Sequence, residues 1–390
     1  MTTHEGRLHA LDNLRALMMW LGIVIHGAMS YTARETPVPW RDEHRTLAAD
    51  MVLAFIHAFR MPVFFVLAGF FVTMLLQSRG PRGMARHRLL RLGLPFALFW
   101  PVILVASSIA ALALIHLIMR GTWGIDETLL QQIPRNPDFE PIPTGPNTMH
   151  MWFLWMLLWM SLATALVAHI VPSHYWEAPA RWLRGAAGAW WGPFVLAVPL
   201  VATDMGYPQG VMFPSGAFVP HLAEWVHHGL FFVVGLAMFT QREVLFATFQ
   251  RRWVVYAVAG LVPWVVAGGA VERHNPLVFT YAYALAGWLW SFAWIGAALK
   301  WMPSRSAALG YLADSSYWVY LVHFPLTIAF AALMYGADWP GAVKAALNIG
   351  ATTAVCLATY HLFVRFTWVS VLLNGKRHVR FREPAIIAAN

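Results

Sequence analysis

Histidines, rather than acids, are the ionisable residues that interrupt the apolar segments of this 390-residue sequence. Arg15 and His26 are 11 residues apart, close to three turns of an α-helix, so both project from one face about 16 Å apart. A neutral, buried imidazole is suited to take a proton from a hydroxyl group, and a guanidinium is suited to bind an anion. Gly22 lies between them and predicts a gap for a chain-like ligand. The alternative is an arginine that extends to a polar surface and a histidine that is only packed and hydrogen-bonded.

A second basic pair follows in the next apolar segment. His57 and Arg60 are three residues apart and therefore neighbours on one helical face. Pro62 frees a backbone carbonyl and favours a kink beside them. We expect His57 to lie at a depth similar to that of His26, so that both imidazoles and Arg60 share one cavity. The alternative is that Arg60 extends outward and does nothing else.

Arg88 and Arg91 belong to a run of five arginines between positions 79 and 91. They are one helical turn apart, a spacing that allows both guanidinium groups to grip one polyanion. The pattern therefore indicates a phosphate site, of the kind that a nucleotide-bearing donor such as coenzyme A would use. The alternative is a basic loop that only anchors the chain on one side of a membrane.

Three further pairs carry polar groups next to apolar segments. Tyr320 is one turn from His323, which precedes the kink-prone Pro325. We expect the outer mouths of two segments to be marked by His150 with Trp152 and by Glu224 with His227 and its neighbour His228. Glu224 is one turn from His227 and is expected to orient it. The alternatives are a structural histidine bonded to a freed carbonyl and simple interfacial anchoring.

The composition limits the class of protein. Hydrophobic residues make up 59% of the chain and charged residues only 12%, about half the share of a soluble domain. This excludes a soluble enzyme, a disordered chain and a nucleic-acid-binding protein, despite the formal charge of +9. The one cysteine, Cys356, excludes disulfides and cysteine-rich metal sites. The sequence contains no G-x-S-x-G, H-E-x-x-H or Walker A motif.

The apolar segments that contain these residues have the length of membrane spans, since a bilayer-crossing helix needs about 20 apolar residues. The sequence predicts an all-α, polytopic integral membrane protein with about ten transmembrane helices. The candidate spans are 11–31, 51–76, 93–118, 151–171, 189–203, 223–240, 253–271, 279–299, 315–335 and 341–363. The fifth is short and contains two prolines.

The basic residues predict an orientation, because Lys and Arg are enriched in cytoplasmic loops. With the N-terminus placed in the cytoplasm, 19 of the 27 Lys and Arg residues fall on that side. Both termini are therefore predicted to be cytoplasmic. We expect residues 1–390 to form a single domain that ends in a basic cytoplasmic tail, 364–390.

Three motifs in this order resemble the membrane acyltransferase-3 family. The run LDNLR at 11–15, followed after ten residues by His26, is similar to its R-x10-H motif. Arg88-x-x-Arg91 resembles its R-x-x-R motif, and SYWVYLVH at 316–323 resembles its late S-Y-x-x-Y-L-x-H segment. The similarity covers essentially the whole chain. Segments 55–71 and 149–155 resemble the branch of the family that is associated with succinylation of periplasmic glucans.

The resemblance implies an acyl-CoA-dependent O-acyltransferase in the inner membrane of a bacterium. It would move an acyl group, succinyl as first choice and acetyl as second, to a hydroxyl of a periplasmic glucan or another glycan. Succinyl-CoA or acetyl-CoA from the cytoplasm would be the donor substrate, and the enzyme would lie in the lipid bilayer. The resemblance implies no permanently bound cofactor, no metal and no nucleic-acid partner. A homodimer is one candidate assembly. The alternative is a polytopic transporter or flippase of a glycan or lipid-linked substrate.

The resemblance also gives each candidate residue a role. His26 is expected to be the general base, with His57 or Arg60 stabilising the oxyanion. A covalent acyl group on His26 is a second chemistry. The expected acyl-CoA-binding residues are Arg15, Gly22, Arg88 and Arg91, and those expected to line the tunnel or the acceptor side are Tyr320, His323, His150, Trp152, Glu224 and His227.

Overall fold

The computed structural model is all-helical. It describes residues 4–36, 38–133, 146–207, 210–304 and 306–378. No β-strand occurs among these residues. The α-helices are α1 (His4–Met29), α2 (Leu47–Arg88), α3 (Leu94–Arg120), α4 (Trp152–Ile170), α5 (His174–Gly188), α6 (Gly192–Asp204), α7 (Leu222–Met238), α8 (Arg242–Glu272), α9 (Pro276–Trp301), α10 (Ala307–Met334), α11 (Gly341–Thr359) and α12 (Trp368–Asn374).

The helices make this a multi-pass membrane protein. Seven helical stretches within the described ranges are long and apolar enough to cross a bilayer, or eight if the bent pair α5 and α6 counts as one span. Two of these stretches, of 74 and 51 residues, are longer than one crossing requires. Each of the ten predicted segments lies on a helix, but ten crossings and the sidedness of the termini stay predictions. Residues 379–390 of the predicted tail lie outside the described residues.

α2 continues well beyond its apolar part and bends at Gly80. This glycine has φ +67°, a left-handed conformation that L-residues with a side chain rarely adopt. The bend separates the apolar part of α2 from the arginine-rich turn that leads through a π-helical segment, Leu89–Gly93, into α3. It therefore sets the position of Arg88 and Arg91.

α6 is too short to cross a bilayer alone. Its 13 residues rise about 20 Å, against about 30 Å of hydrocarbon. It turns back on α5 at an angle of 116°. The predicted fifth span at 189–203 is thus one arm of a bent pair, and α6 ends at Asp204, which is buried.

α9 forms the centre of the bundle. In its most apolar window 83% of the residues are buried, against at most 56% in the other spans. It packs against α1, α2, α6 and α8, while α1 also packs against α2 and α10. α2 and α7 approach each other most closely at Gly69 and Gly235, where an added Cβ would lie 2.0 Å from the carbonyl oxygens of Phe232 and Val66. This packing brings the polar residues of α1, α2, α7, α9 and α10 together.

Candidate functional site

Three imidazoles from distant parts of the sequence meet inside the bundle. The ring centroids of His26 and His323 are 5.2 Å apart, and those of His150 and His323 are also 5.2 Å apart. His26 is in the last turn of α1 and His323 is in the middle of α10. His150 is presented by a short turn whose first residue, Met149, has φ +50°. We call His26, His150 and His323 the histidine cluster.

His150 is buried in this cluster rather than placed at an outer mouth. Its side chain is bonded to α10, where Nε2 lies 3.0 Å from Tyr320 O and 3.2 Å from Leu321 O. Pro325 has no N–H, so the Leu321 carbonyl is free to accept this bond. Because carbonyl oxygens only accept, His150 Nε2 carries the proton and Nδ1 carries a lone pair. The Tyr320 hydroxyl, placed in the predicted tunnel, instead donates to His150 O at 3.0 Å.

His323 is fixed in the same way by its own helix. Its Nδ1 lies 3.0 Å from Val319 O and 2.8 Å from Tyr320 O, so it donates and Nε2 carries the lone pair. His323 Nε2, His150 Nδ1 and His26 Nδ1 are buried and have no hydrogen-bond partner within the described part of the chain. Unsatisfied buried polar atoms are rare in structural positions. The cluster thus offers two bare lone pairs, on His150 and His323, beside the half-buried His26 ring.

Arg60 joins the histidine cluster. It is only 8% exposed, so it does not extend outward to solvent. Its Nε donates to Met18 O on α1 at 2.8 Å. A Cβ on Gly22 would lie 2.7 Å from Arg60 Nη2 and 3.2 Å from His323 Nε2. The gap predicted beside Gly22 is therefore filled by these two side chains, and the missing side chain allows Arg60 to approach α1.

His57 faces a different space from Arg60, although both are on α2. The Tyr283 hydroxyl donates to Ala54 O at 2.9 Å and lies 3.2 Å from His57 Nδ1. His57 Nδ1 therefore donates to the tyrosine oxygen, which leaves the lone pair on Nε2. No ring contact or hydrogen bond joins His57 to His26 in the described ranges. The predicted convergence of the two imidazoles is replaced by two neighbouring sites.

The second site is a cavity of about 40 Å³ between α2, α6, α7 and α9. It is lined among others by His57, Trp152, Asp204, His227, His228 and Tyr283. We call it the dyad cavity, because His227 Nδ1 and Asp204 Oδ1 form a close pair at 2.7 Å. The side chains of this pair are 14% and 6% exposed.

The partner of His227 is thus not the predicted one. Glu224 Oε1 accepts a bond from the backbone N–H of Ser215 at 2.9 Å, and Asp204 orients His227 instead. Sequence reasoning missed Asp204 because it lies in a different helix. One signal was available, since Asp204 is the only acid between Glu177 and Glu224. His228, predicted at the same position as His227, stacks against Phe65 and Trp152 at centroid distances of 4.6 and 5.0 Å.

The other three arginines of the predicted site are Arg15, Arg88 and Arg91. They lie towards the end of the bundle away from the histidine cluster, and we call this region the basic end. Arg91 Nη1 donates to Val371 O at 2.9 Å and Leu372 O at 3.0 Å, so this guanidinium holds the last turn of α12. Arg15 forms a half-exposed ion pair with Asp12 at 3.3 Å.

Arg88 differs from both. Its Nε and Nη2 are buried and have no hydrogen-bond partner in the portion of the chain that the structure describes. Arg15 repels it electrostatically. Buried guanidinium nitrogens in this state are costly unless an anion pairs with them.

Comparisons with known proteins agree with the membrane architecture. The sequence model of an acyltransferase domain, family 3, matches residues 8–361. Glucans biosynthesis protein C of Salmonella gallinarum is 24% identical over 418 residues, covering 98% of both chains. The protein of the same name from Escherichia coli K12 is 23% identical over 403 residues, covering 96% of both. No solved structure matches the chain.

Proposed function

The chain belongs to the acyltransferase-3 family, and from this premise we propose an O-acyltransferase that moves an acyl group from a cytoplasmic acyl-CoA to a hydroxyl of a periplasmic glucan or another glycan. The names of its relatives support a glucan as the acceptor. The observation that carries the proposal is the set of buried, unpartnered imidazole nitrogens beside the Arg60 guanidinium. The family does not favour the transporter alternative.

The proposed topology has ten crossings in the inner membrane of a bacterium, with both termini in the cytoplasm. Its support is that every predicted span lies on a helix and that 19 of 27 basic residues fall on one side. The basic end would then face the cytoplasm, where acyl-CoA is present. The histidine cluster would lie in the outer half of the membrane, within reach of a periplasmic acceptor.

At the basic end, the unpaired Arg88 donors are the proposed contact for a coenzyme A phosphate, with Arg15 beside them. Arg91 belongs to the same proposed site, but the α12 carbonyls already use its Nη1. We therefore expect a smaller share of the donor affinity from Arg91. Passage of the pantetheine arm along Gly22 would require the Arg60 guanidinium to leave that space.

In the proposed reaction, the acceptor hydroxyl oxygen attacks the thioester carbonyl carbon, and the C–S bond breaks. His26 takes the hydroxyl proton and returns it to the coenzyme A thiolate, so that the products are an ester and a free thiol. Arg60 stabilises the oxyanion, because its charge is buried next to the cluster. Succinyl is the first proposed acyl group and acetyl the second; with succinyl, Arg60 would have a second anionic partner in the distal carboxylate.

A covalent acyl group on His26 is the second form of the same chemistry. Single-turnover incubation with labelled acyl-CoA, in the absence of an acceptor, separates the two forms. Label that stays on the protein supports the covalent route, and its absence supports direct transfer.

The proposal is tested with purified protein in nanodiscs, labelled succinyl-CoA or acetyl-CoA and a linear glucan. Wild-type protein is expected to label the glucan, and His26→Ala is expected not to. No transfer by the wild type, or full transfer by His26→Ala, contradicts the proposal.

A further inference from the structure

The dyad cavity is a polar site that the proposed reaction does not use. We propose that it is a binding subsite for a hydroxyl-bearing arm of the acceptor carbohydrate, with Asp204 and His227 as its positioning residues. This inference rests on the proposed transfer to a glycan and adds where that glycan is held.

The Asp204–His227 pair fixes what the cavity offers. The carboxylate oxygen accepts from His227 Nδ1 at 2.7 Å and from the Thr203 hydroxyl at 2.8 Å. His227 Nδ1 therefore carries a proton, and Nε2 is left with a lone pair. His57 Nε2 is a second acceptor, because Nδ1 of that ring is bonded to Tyr283.

His228 is the independent sign that the cavity suits a polar ligand. It is 3% exposed, and neither of its ring nitrogens has a hydrogen-bond partner in the described segments. A neutral imidazole carries one N–H and one lone pair. The Phe65 and Trp152 rings pack against it at centroid distances of 4.6 and 5.0 Å, and neither ring offers a hydrogen-bond partner to its nitrogens. His228 lines the same cavity as His227 and His57.

The size and the charge of the cavity identify the class of ligand. About 40 Å³ holds one or two water-sized groups, which suits a hydroxyl or hydroxymethyl arm and not a whole sugar ring. The lone pairs on His227 Nε2 and His57 Nε2 and the N–H of His228 suit a hydroxyl group, because a hydroxyl both donates and accepts hydrogen bonds. The carboxylate of Asp204 disfavours an anion such as the distal group of a succinyl chain.

The position of the cavity fits a role in holding the acceptor. His57 is one helical turn from Arg60 on α2, about 4.5 Å along the axis. An acceptor anchored by one hydroxyl in the dyad cavity is thus held about one helical turn from the position of Arg60, in the space next to the histidine cluster. Trp152 lines the cavity and follows His150 of the histidine cluster by two residues.

Direct binding of a linear glucose oligosaccharide to the protein in nanodiscs tests the subsite without acyl transfer. Asp204→Asn keeps the size of the side chain but removes its charge, and we expect the oligosaccharide Kd to rise about tenfold, which is the loss of one good hydrogen bond. Asp338→Asn is the matched control, because the exposed Asp338 forms the same kind of pair with His44 at 3.0 Å. It is expected to leave the Kd within about twofold.

A second variant tests the cavity independently, in case Asp204→Asn does not fold. Ala284→Leu fills the cavity from α9 without touching a charge, and Ala282→Leu makes the same change on that helix outside the lining. We expect the first to weaken oligosaccharide binding about tenfold and the second to have little effect. The Kd of coenzyme A is expected to be the same in all variants.

The outcomes separate this inference from the proposed function. Unchanged oligosaccharide binding in Asp204→Asn overturns the subsite, as does an equal loss of coenzyme A affinity, which indicates a structural role. A fall in kcat with no change in acceptor KM also overturns it. If the wild type binds the oligosaccharide but transfers no acyl group, the proposed function fails and the subsite stands.

Discussion

The histidine cluster and the basic end both contain buried polar atoms without partners, but of opposite kinds. The cluster presents lone pairs on neutral imidazoles, which are fixed by α10 carbonyls. The basic end presents N–H donors on the permanently charged Arg88. Lone pairs accept protons and charged donors bind anions, so the two regions are suited to chemistry and to donor binding respectively. This difference predicts that their variants alter different kinetic constants.

The largest expected effect is that of His26→Ala on acyl transfer. Loss of a general base lowers kcat by about 10²–10⁴-fold. The coenzyme A Kd is expected to stay unchanged, because His26 lies about 16 Å from Arg15 along α1. Steady-state kinetics with labelled acyl-CoA, together with a coenzyme A binding isotherm, measure both quantities. A rise in the coenzyme A Kd as large as the loss of kcat would remove the distinction between the two regions.

The next effect is that of Arg60→Met, which keeps the length of the side chain but removes the charge. We expect kcat to fall about 10²-fold, since an oxyanion would lose its main charged partner. Thermal stability is expected to stay equal or rise, because an isolated buried charge is costly. Thermal unfolding and kcat are measured on the same preparation. An unaltered kcat would exclude Arg60 from the reaction centre.

Arg88→Ala comes third. The acyl-CoA KM is expected to rise about ten- to a hundredfold, the value of a charge-assisted bond to phosphate. The fold should be unaffected, because no described residue is hydrogen-bonded to Arg88 Nε or Nη2. High salt is expected to raise the acyl-CoA KM of the wild type towards that of the variant, because salt screens the charge of Arg88. A change confined to kcat would contradict the assignment of the basic end.

Arg91→Ala is the matched variant and has the smallest expected effect on the donor. It removes the bonds to Val371 and Leu372 carbonyls, so the docking of α12 is expected to weaken. We expect the acyl-CoA KM to change by less than about threefold and the melting temperature to fall by a few degrees. Equal KM effects for both arginines would show that spacing alone, and not the α12 contact, determines the site.

The sequence predicts the helices and much of the cluster, because apolar length and helical periodicity are local properties. His26, Arg60 and His323 could be chosen because polar residues in apolar segments are costly and therefore informative. Pro325 also predicts that the Leu321 carbonyl is free, but the sequence does not predict that His150 binds it. Arg88 and Arg91 cannot be told apart by spacing, because their difference arises from the distant α12.

Asp204 shows the limit of such reasoning most clearly. It lies at the end of a short helix that is bent by 116° against α5, and only that packing brings it to His227. Glu224, one turn from His227, is the nearer candidate in sequence, yet it bonds to the Ser215 backbone. Local periodicity cannot choose between a neighbour on the same helix and a partner on another.

The most direct test places the two substrates on opposite sides of a membrane. Wild-type protein is reconstituted in vesicles of known orientation, with labelled acyl-CoA facing the basic end and a linear glucan enclosed on the other side. We expect labelled ester on the enclosed glucan with the wild type, and none with His26→Ala. Transfer only when both substrates share one side, or none in any arrangement, would contradict it.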